Sequence, residues 1–150
     1  MSRFRGRYDY STDVKGRVNI PAKFRKVLSP EAEETFVVVR GPNNCLRAYP
    51  KDLWNTYESE LASRPETPQT VRHKRLLFSI LSDSTLDGQG RITLTTAQMA
   101  VAGITKDATL VGQATYIEIW DTARYEAYLN IADDFDEVFF QSVETGLVQK

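Results

Sequence analysis

The feature that most constrains this chain is a motif that it carries twice. The stretch Asp13-Val14-Lys15-Gly16-Arg17-Val18-Asn19-Ile20-Pro21 returns as Asp87-Gly88-Gln89-Gly90-Arg91-Ile92-Thr93-Leu94-Thr95. An internal repeat bears on the whole architecture, not on one element. After each arginine the apolar residues alternate, Val18 and Ile20 in one copy and Ile92 and Leu94 in the other, as in a strand with one buried face. A short helix is expected next in each copy, about two turns long. The first opens at Pro21, whose fixed φ suits a helix start, and runs through Phe24, Val27 and Leu28 to a stop at Ser29-Pro30. The second has Thr95 and Thr96 as caps, Met99 and Ala102 on its apolar side, and Gly103 as its C-terminal stop.

The order continues in parallel. A continuous apolar strand follows in each copy, Phe36–Val39 and Leu110–Val111, with Gly41 or Gly112 just after it. Next come a turn and a second strand ending on an aromatic, Cys45–Tyr49 matching Tyr116–Trp120. A closing helix begins at Pro50 and presents Leu53, Trp54, Tyr57 and Leu61; its counterpart is capped by Asp121 and presents Tyr125, Tyr128 and Leu129. The copies are assigned to residues 7–54 and 83–126. Between them, Ser63–Pro68 is rich in breakers and reads as a loop. Past it, Val71, Leu77, Phe78 and Leu81 line an amphipathic helix whose other side carries Arg72, His73, Lys74 and Arg75. The fold class is α+β, mainly β, and the copies are expected to share a core, because half-sized units bury too little surface alone. Trp54 and Trp120 are expected in that core.

Composition narrows the function. The net charge is −1, yet residues 1–26 hold eight basic groups against Asp9 and Asp13, a net +6, while residues 121–150 hold seven acidic groups against Arg124 and Lys150, a net −5. One end is suited to phosphate and the other repels it. No apolar run approaches the roughly 20 residues that span a bilayer, and the arginine-rich start lacks a following apolar stretch, so a cytoplasmic place is expected. Cys45 is the single cysteine, which excludes an internal disulfide or a multi-cysteine metal cage. No nucleophile stands beside a histidine and no phosphate-cradling glycine loop precedes a helix, so the chain is not read as an enzyme and no cofactor or small-molecule substrate is assigned. The carboxylate cluster Asp133, Asp134, Asp136 and Glu137 reads as a solvated face rather than a weak cation site.

A glycine before an arginine at a strand reversal tolerates positive φ and leaves the next side chain projecting. Asp13 or Asp87 can steady such a turn through backbone N–H groups, or pin an arginine of its own or of the opposing copy. For one copy, an ion pair closing a barrel seam and a contact surface stand equally open. Two copies related by a pseudo-two-fold would bring both turns to one surface, and arginine is the commonest reader of guanine in the major groove. Lys15 adds a phosphate contact, Gln89 can read adenine or bond to backbone, and the arm at Arg3, Arg5 and Arg7 extends the electrostatic footprint.

Phe4-Arg5-Gly6, Asp13-x-Lys15-Gly16-Arg17, Ile20-Pro21-Ala22-Lys23-Phe24-Arg25, Cys45-Leu46, Tyr49-Pro50 with Trp54, Asp87-x-Gln89-Gly90-Arg91-Ile92 and Ile117–Trp120 together resemble the bacterial MraZ family over residues 4–128. That resemblance implies two tandem AbrB-like swapped-hairpin units forming one pseudo-two-fold barrel with flanking helices, and a ring-shaped homo-oligomer. It implies a cytoplasmic, nucleoid-associated transcriptional regulator of the division and cell-wall gene cluster that binds short direct repeats of double-stranded DNA at its own promoter. Arg17 and Arg91 then become the principal DNA contacts, with Arg5, Lys15 and Gln89 beside them. Thr95 departs from the proline expected there, which predicts a looser strand-to-helix junction. The competing reading is a scaffold ring whose basic face meets RNA or a protein partner. Residues 130–150 fall largely outside the resemblance and read either as a short helix against a neighbour or as a tail.

Overall fold

The computed structural model describes residues 4–144. The first copy contributes β1 (Arg7–Ser11), β2 (Arg17–Asn19), α1 (Ala22–Arg25), β3 (Thr35–Arg40), β4 (Leu46–Pro50) and α2 (Lys51–Ser63). Helix α3 (Pro68–Phe78) links it to β5 (Ser82–Thr85), β6 (Arg91–Thr93), α4 (Thr96–Ala102), β7 (Asp107–Gly112), β8 (Ile117–Asp121) and α5 (Thr122–Leu129). A short α6 (Phe135–Phe139) and a π turn over Phe140–Glu144 follow. The class is α+β with a mainly antiparallel sheet.

The strands do not pair within their own copies alone. Six of them form one sheet in the order β1-β7-β8-β4-β3-β5, and β2 and β6 form a separate two-stranded ribbon. Strand β1 of the first copy therefore pairs with β7 of the second, and β5 of the second pairs with β3 of the first. The ribbon joins the copies again, with Arg17 opposite Thr93, Val18 opposite Ile92 and Asn19 opposite Arg91. Its register is symmetric about Val18 and Ile92, and the β4–β8 register is symmetric about Arg47 and Glu118. Both registers are unchanged when the two copies are exchanged.

Alternation explains the core. Val18, Ile20, Ile92 and Leu94 point from the ribbon onto one sheet face, where they meet Phe36, Val38, Leu46, Ala48, Leu110, Ile117 and Ile119. Phe4 and Phe24 complete this layer edge to face, with ring centroids 5.4 Å apart. Both copies thus feed a single core, the economical solution for a short chain. The opposite sheet face is covered too, since Val37, Val39 and Tyr49 pack on Trp54 of α2 and on Leu77 and Leu81. A strand buried on both faces reads as an unbroken apolar run, which is why Phe36–Val39 carries no alternation. Trp120 is buried against Tyr125 and Tyr128 of α5 and donates its indole N–H to Glu118.

Capping signals held where their partners are local. Asp121 accepts from the Arg124 N–H and Gly103 closes α4 in the left-handed region. Two expectations change. Helix α1 is one turn rather than two, because after Arg25 the chain tightens into i→i−3 bonds from the Val27 and Leu28 N–H groups to Phe24 and Arg25. The junction at Thr95 is not loose. Its hydroxyl accepts from the Gln98 N–H while the Gln98 side chain accepts from the Thr95 N–H, a reciprocal capping box. Gln98 is itself fully buried and donates to the Ile80 carbonyl and the Ser82 hydroxyl, so its amide is satisfied.

Candidate nucleic-acid interface

Each repeated turn is built around its aspartate. In the first, the Asp13 N–H donates to the Arg17 carbonyl (3.1 Å), and the Gly16 N–H donates to the Asp13 carbonyl (3.0 Å). The carboxylate then accepts from the Lys15 and Arg17 N–H groups, both at 2.9 Å. The second turn repeats every one of these bonds through Asp87, Gln89, Gly90 and Arg91. Gly16 and Gly90 stand at φ +80° and +75°, where an L side chain is strained. The Arg17 N–H holds the Asp13 carboxyl below the usual carboxylate range, as the Arg91 N–H does for Asp87.

Both arginines are pinned by the carboxylates. Arg17 Nε donates to Asp13 Oδ2 at 2.5 Å and Arg91 Nε to Asp87 Oδ2 at 2.9 Å. Arg91 Nη1 also lies 3.7 Å from Asp13 Oδ2, which ties the second arginine to the first turn. The ion-pair reading of the motif is therefore correct as geometry, and it does not exclude contact. The aspartates take the Nε edge, and among the described residues the Arg17 Nη groups have no hydrogen-bond partner. A guanidinium fixed at its inner edge presents its outer edge without paying the full rotamer entropy at the moment of binding.

The ribbon sets what lies beside them. Val18 and Ile92 face the core, so the alternate positions Arg17, Asn19, Arg91 and Thr93 all face outward. Asn19 and Thr93 were missed in the sequence, although the alternation carried them. A two-stranded ribbon is narrow enough for a major groove about 12 Å wide. At the tips, Lys15 and Gln89 are exposed, and Val14 has 102% of its reference surface open.

Arg25 was also missed. It donates Nε to the Ile20 carbonyl and lies against the other copy's turn, where a β-carbon on Gly90 would stand 2.7 Å from its Cζ. Arg5 is not brought to the turns. Phe4 forms a bridge with Ala114 beside the β7–β8 hairpin, which leaves Arg5 exposed at the far end of β1. Arg7 is engaged internally, paired with Asp9 and Glu126 and set over the Tyr125 ring at 5.2 Å. The basic start and the acidic end of the chain meet at the Arg7–Glu126 pair. Arg3 lies outside the described residues.

No group of three or more His, Cys, Asp or Glu among the described residues could hold a metal ion. Cys45 is buried beside Glu118, and burial pushes its thiol up to about 12, a poor setting for a nucleophile. No described helix is long and apolar enough to cross a membrane.

Comparison with known proteins agrees with the duplicated architecture. The family model for the MraZ protein, whose description likens it to antitoxins, matches residues 3–76 and again residues 77–146. Among curated proteins, the transcriptional regulator MraZ of Acetivibrio thermocellus is 39% identical over 126 residues, covering 83% of this chain and 85% of its own. That of Syntrophomonas wolfei is 38% identical over 146 residues, covering 96% and 99%. That of Nitratidesulfovibrio vulgaris strain Miyazaki F is 34% identical over 145 residues, covering 96% of both.

Proposed function

The chain belongs to the MraZ family, and from that premise we propose that it is a sequence-specific transcriptional regulator that binds double-stranded DNA through the β2–β6 ribbon and its two turns. The units assigned to residues 7–54 and 83–126 are read as tandem swapped hairpins, a reading supported by the reciprocal β1–β7 and β5–β3 pairing. By family, the target is a set of short direct repeats at its own promoter within a division and cell-wall gene cluster. A cytoplasmic, nucleoid-associated homo-oligomeric ring would engage several such repeats at once and gain affinity by avidity.

One observation carries this reading: two carboxylate-braced arginines stand on the outward face of one narrow ribbon. Arg17 and Arg91 are the base readers, Lys15 a phosphate contact and Gln89 a contact to base edge or backbone. Arg5, at the far end of β1, reaches phosphate only on DNA that extends along the molecule. Changing Arg17 and Arg91 together to Ala should weaken binding to a promoter-repeat fragment at least about thirtyfold, because each bidentate arginine contributes roughly 1–3 kcal/mol of discrimination. The oligomer mass should not change. Undiminished promoter binding by that variant sinks the assignment, and selective capture of RNA or a protein in place of promoter DNA would favour a scaffold ring.

A further inference from the structure

The described chain leaves two unlike surfaces open. The first is the acidic, aromatic segment 133–144. Phe135, Val138 and Phe139 share one face of α6, with Phe135 71% and Val138 47% exposed, and Val143 follows in the π turn. Asp133, Asp134, Asp136, Glu137 and Glu144 accompany them without a single lysine or arginine. Contiguous exposed apolar residues rimmed by charge mark an interaction site.

The second surface is a groove between α3 and the β3–β4 turn. Two adjoining hollows of about 380 and 490 Å³ share Arg40, Gly41, Pro42, His73 and Leu77, and Arg72 and Leu76 extend the groove along α3. Leu76 is 45% exposed there. The only carboxylate in the lining is Glu60, already paired with Arg64 at 2.8 Å. Arg40 bonds only to the neutral Asn44 amide, and Arg72 has no carboxylate partner among the described residues. The groove is therefore apolar along its floor and basic along its rim.

We propose that segment 133–144 of one copy docks in the α3 groove of a second copy. The chemistry matches on both counts, aromatic against leucine and carboxylate against arginine, and like-signed partners are disfavoured. A segment folding back on its own groove would leave neither surface open in a single chain, whereas both stand open here. The contact joins two different patches, so it is head-to-tail and repeats from copy to copy until it closes. It rests on the oligomeric part of the reading above and says which surfaces make the ring.

A head-to-tail contact has a diagnostic mixing behaviour. The full chain carrying Phe135→Ser and Phe139→Ser keeps a working groove, and the full chain carrying Arg72→Glu and Leu76→Glu keeps a working segment. Each variant alone should fall to the mass of one chain by sedimentation velocity. An equimolar mixture should recover a two-chain species and nothing larger, since only one competent contact remains. All four positions are exposed, and a circular dichroism melt checks that both variants are folded. A second segment variant, Asp136→Lys with Glu137→Lys, should behave as the first does. If either variant alone keeps the wild-type mass, or the folded mixture stays at one chain, this contact is wrong while the ring stands. A wild-type chain that is itself monomeric overturns both, and covers the cases of a folded-back segment or a foreign acidic partner.

Discussion

The turn at Asp13–Arg17 and the turn at Asp87–Arg91 share their backbone hydrogen bonds and differ in what stands behind and beside them. Gly16 is backed by the Leu94 carbonyl and Met99 Sδ, at 2.5 and 3.2 Å from where a β-carbon would sit; Gly90 is backed by the Arg25 guanidinium. Arg25 and Met99 occupy the same place in the repeat, four residues after Pro21 and Thr95. Because the ribbon crosses between copies, the first copy's cation serves the second copy's turn. Beside the turns, the Thr12 N–H donates to the Lys106 carbonyl and the Leu86 N–H to the Glu34 carbonyl, so one turn has a lysine next to it where the other has a glutamate. The first turn owns Lys15 and borrows Lys106, followed by Asp107. The second lacks a lysine and borrows Arg25, offset by Glu33 and Glu34. Arg25 thus belongs to the first copy in sequence and to the second turn in space.

The largest effect should come from the glycines. Both positions impose roughly 1–2 kcal/mol on an L residue through positive φ. At Gly16 an added methyl also meets a backbone carbonyl that the ribbon holds in place, adding roughly 1–3 kcal/mol of overpacking. At Gly90 it meets the end of a flexible arginine. Gly16→Ala should lose about 2–5 kcal/mol in chemical denaturation, and Gly90→Ala about 1–2 kcal/mol. Equal losses would show that the two turns are backed alike. Gly90→Ala should also displace Arg25 and so weaken DNA binding beyond its cost in stability.

That asymmetry marks the limit of what the sequence makes legible. The repeat, the β strands, the Asp121 cap, the Gly103 stop and the aspartate–arginine pairs rest on neighbours within a few residues. Periodicity and turn chemistry suffice for those. The exchange of β1 and β5 between copies depends on pairings such as Arg7 with Val111, and no local pattern encodes a partner so distant. The same holds for Arg25 on Gly90 and for Arg7 on Glu126. Gln98 is the sharpest case, a glutamine where the first copy has Phe24, and its burial is tolerable only because Ile80 and Ser82 reach it from the approach to β5.

A smaller effect tests the borrowed cation directly. If Arg25 meets phosphate beside the second turn, Arg25→Ala should lower the slope of log affinity against log salt by about 0.9 and weaken promoter binding roughly tenfold at moderate salt. Met99→Ala, at the equivalent place behind the first turn, should leave the slope unchanged. Lys15→Ala should match Arg25→Ala in slope, since each variant removes one cation from beside a turn. Glu34→Lys should strengthen binding at low salt and Lys106→Glu weaken it, both differences fading as salt rises. An unchanged slope for Arg25→Ala would confine that residue to bracing the turn.

The smallest expected effect comes from the charge of the two aspartates. Asp13 and Asp87 titrate below the ordinary carboxylate range because the Arg17 and Arg91 N–H groups, and the guanidinium of each arginine, favour the ionised form. The unfolded chain therefore takes up these protons before the folded one does. The stabilisation is complete above the ordinary carboxylate range and is lost as pH falls through the depressed values. Asp9, held low by the Thr109 hydroxyl, contributes in the same direction. Asn at either position keeps an oxygen for the turn's N–H groups and removes the charge, so Asp13→Asn and Asp87→Asn should each flatten the fall in melting temperature below about pH 4. The two should still differ at neutral pH. Asp13 faces Arg17 at 2.5 Å and Arg91 at 3.7 Å, whereas Asp87 holds Arg91 alone. Asp13→Asn should thus loosen both arginines and cost more promoter affinity than Asp87→Asn, and equal losses would mean that the longer contact between the turns carries no weight.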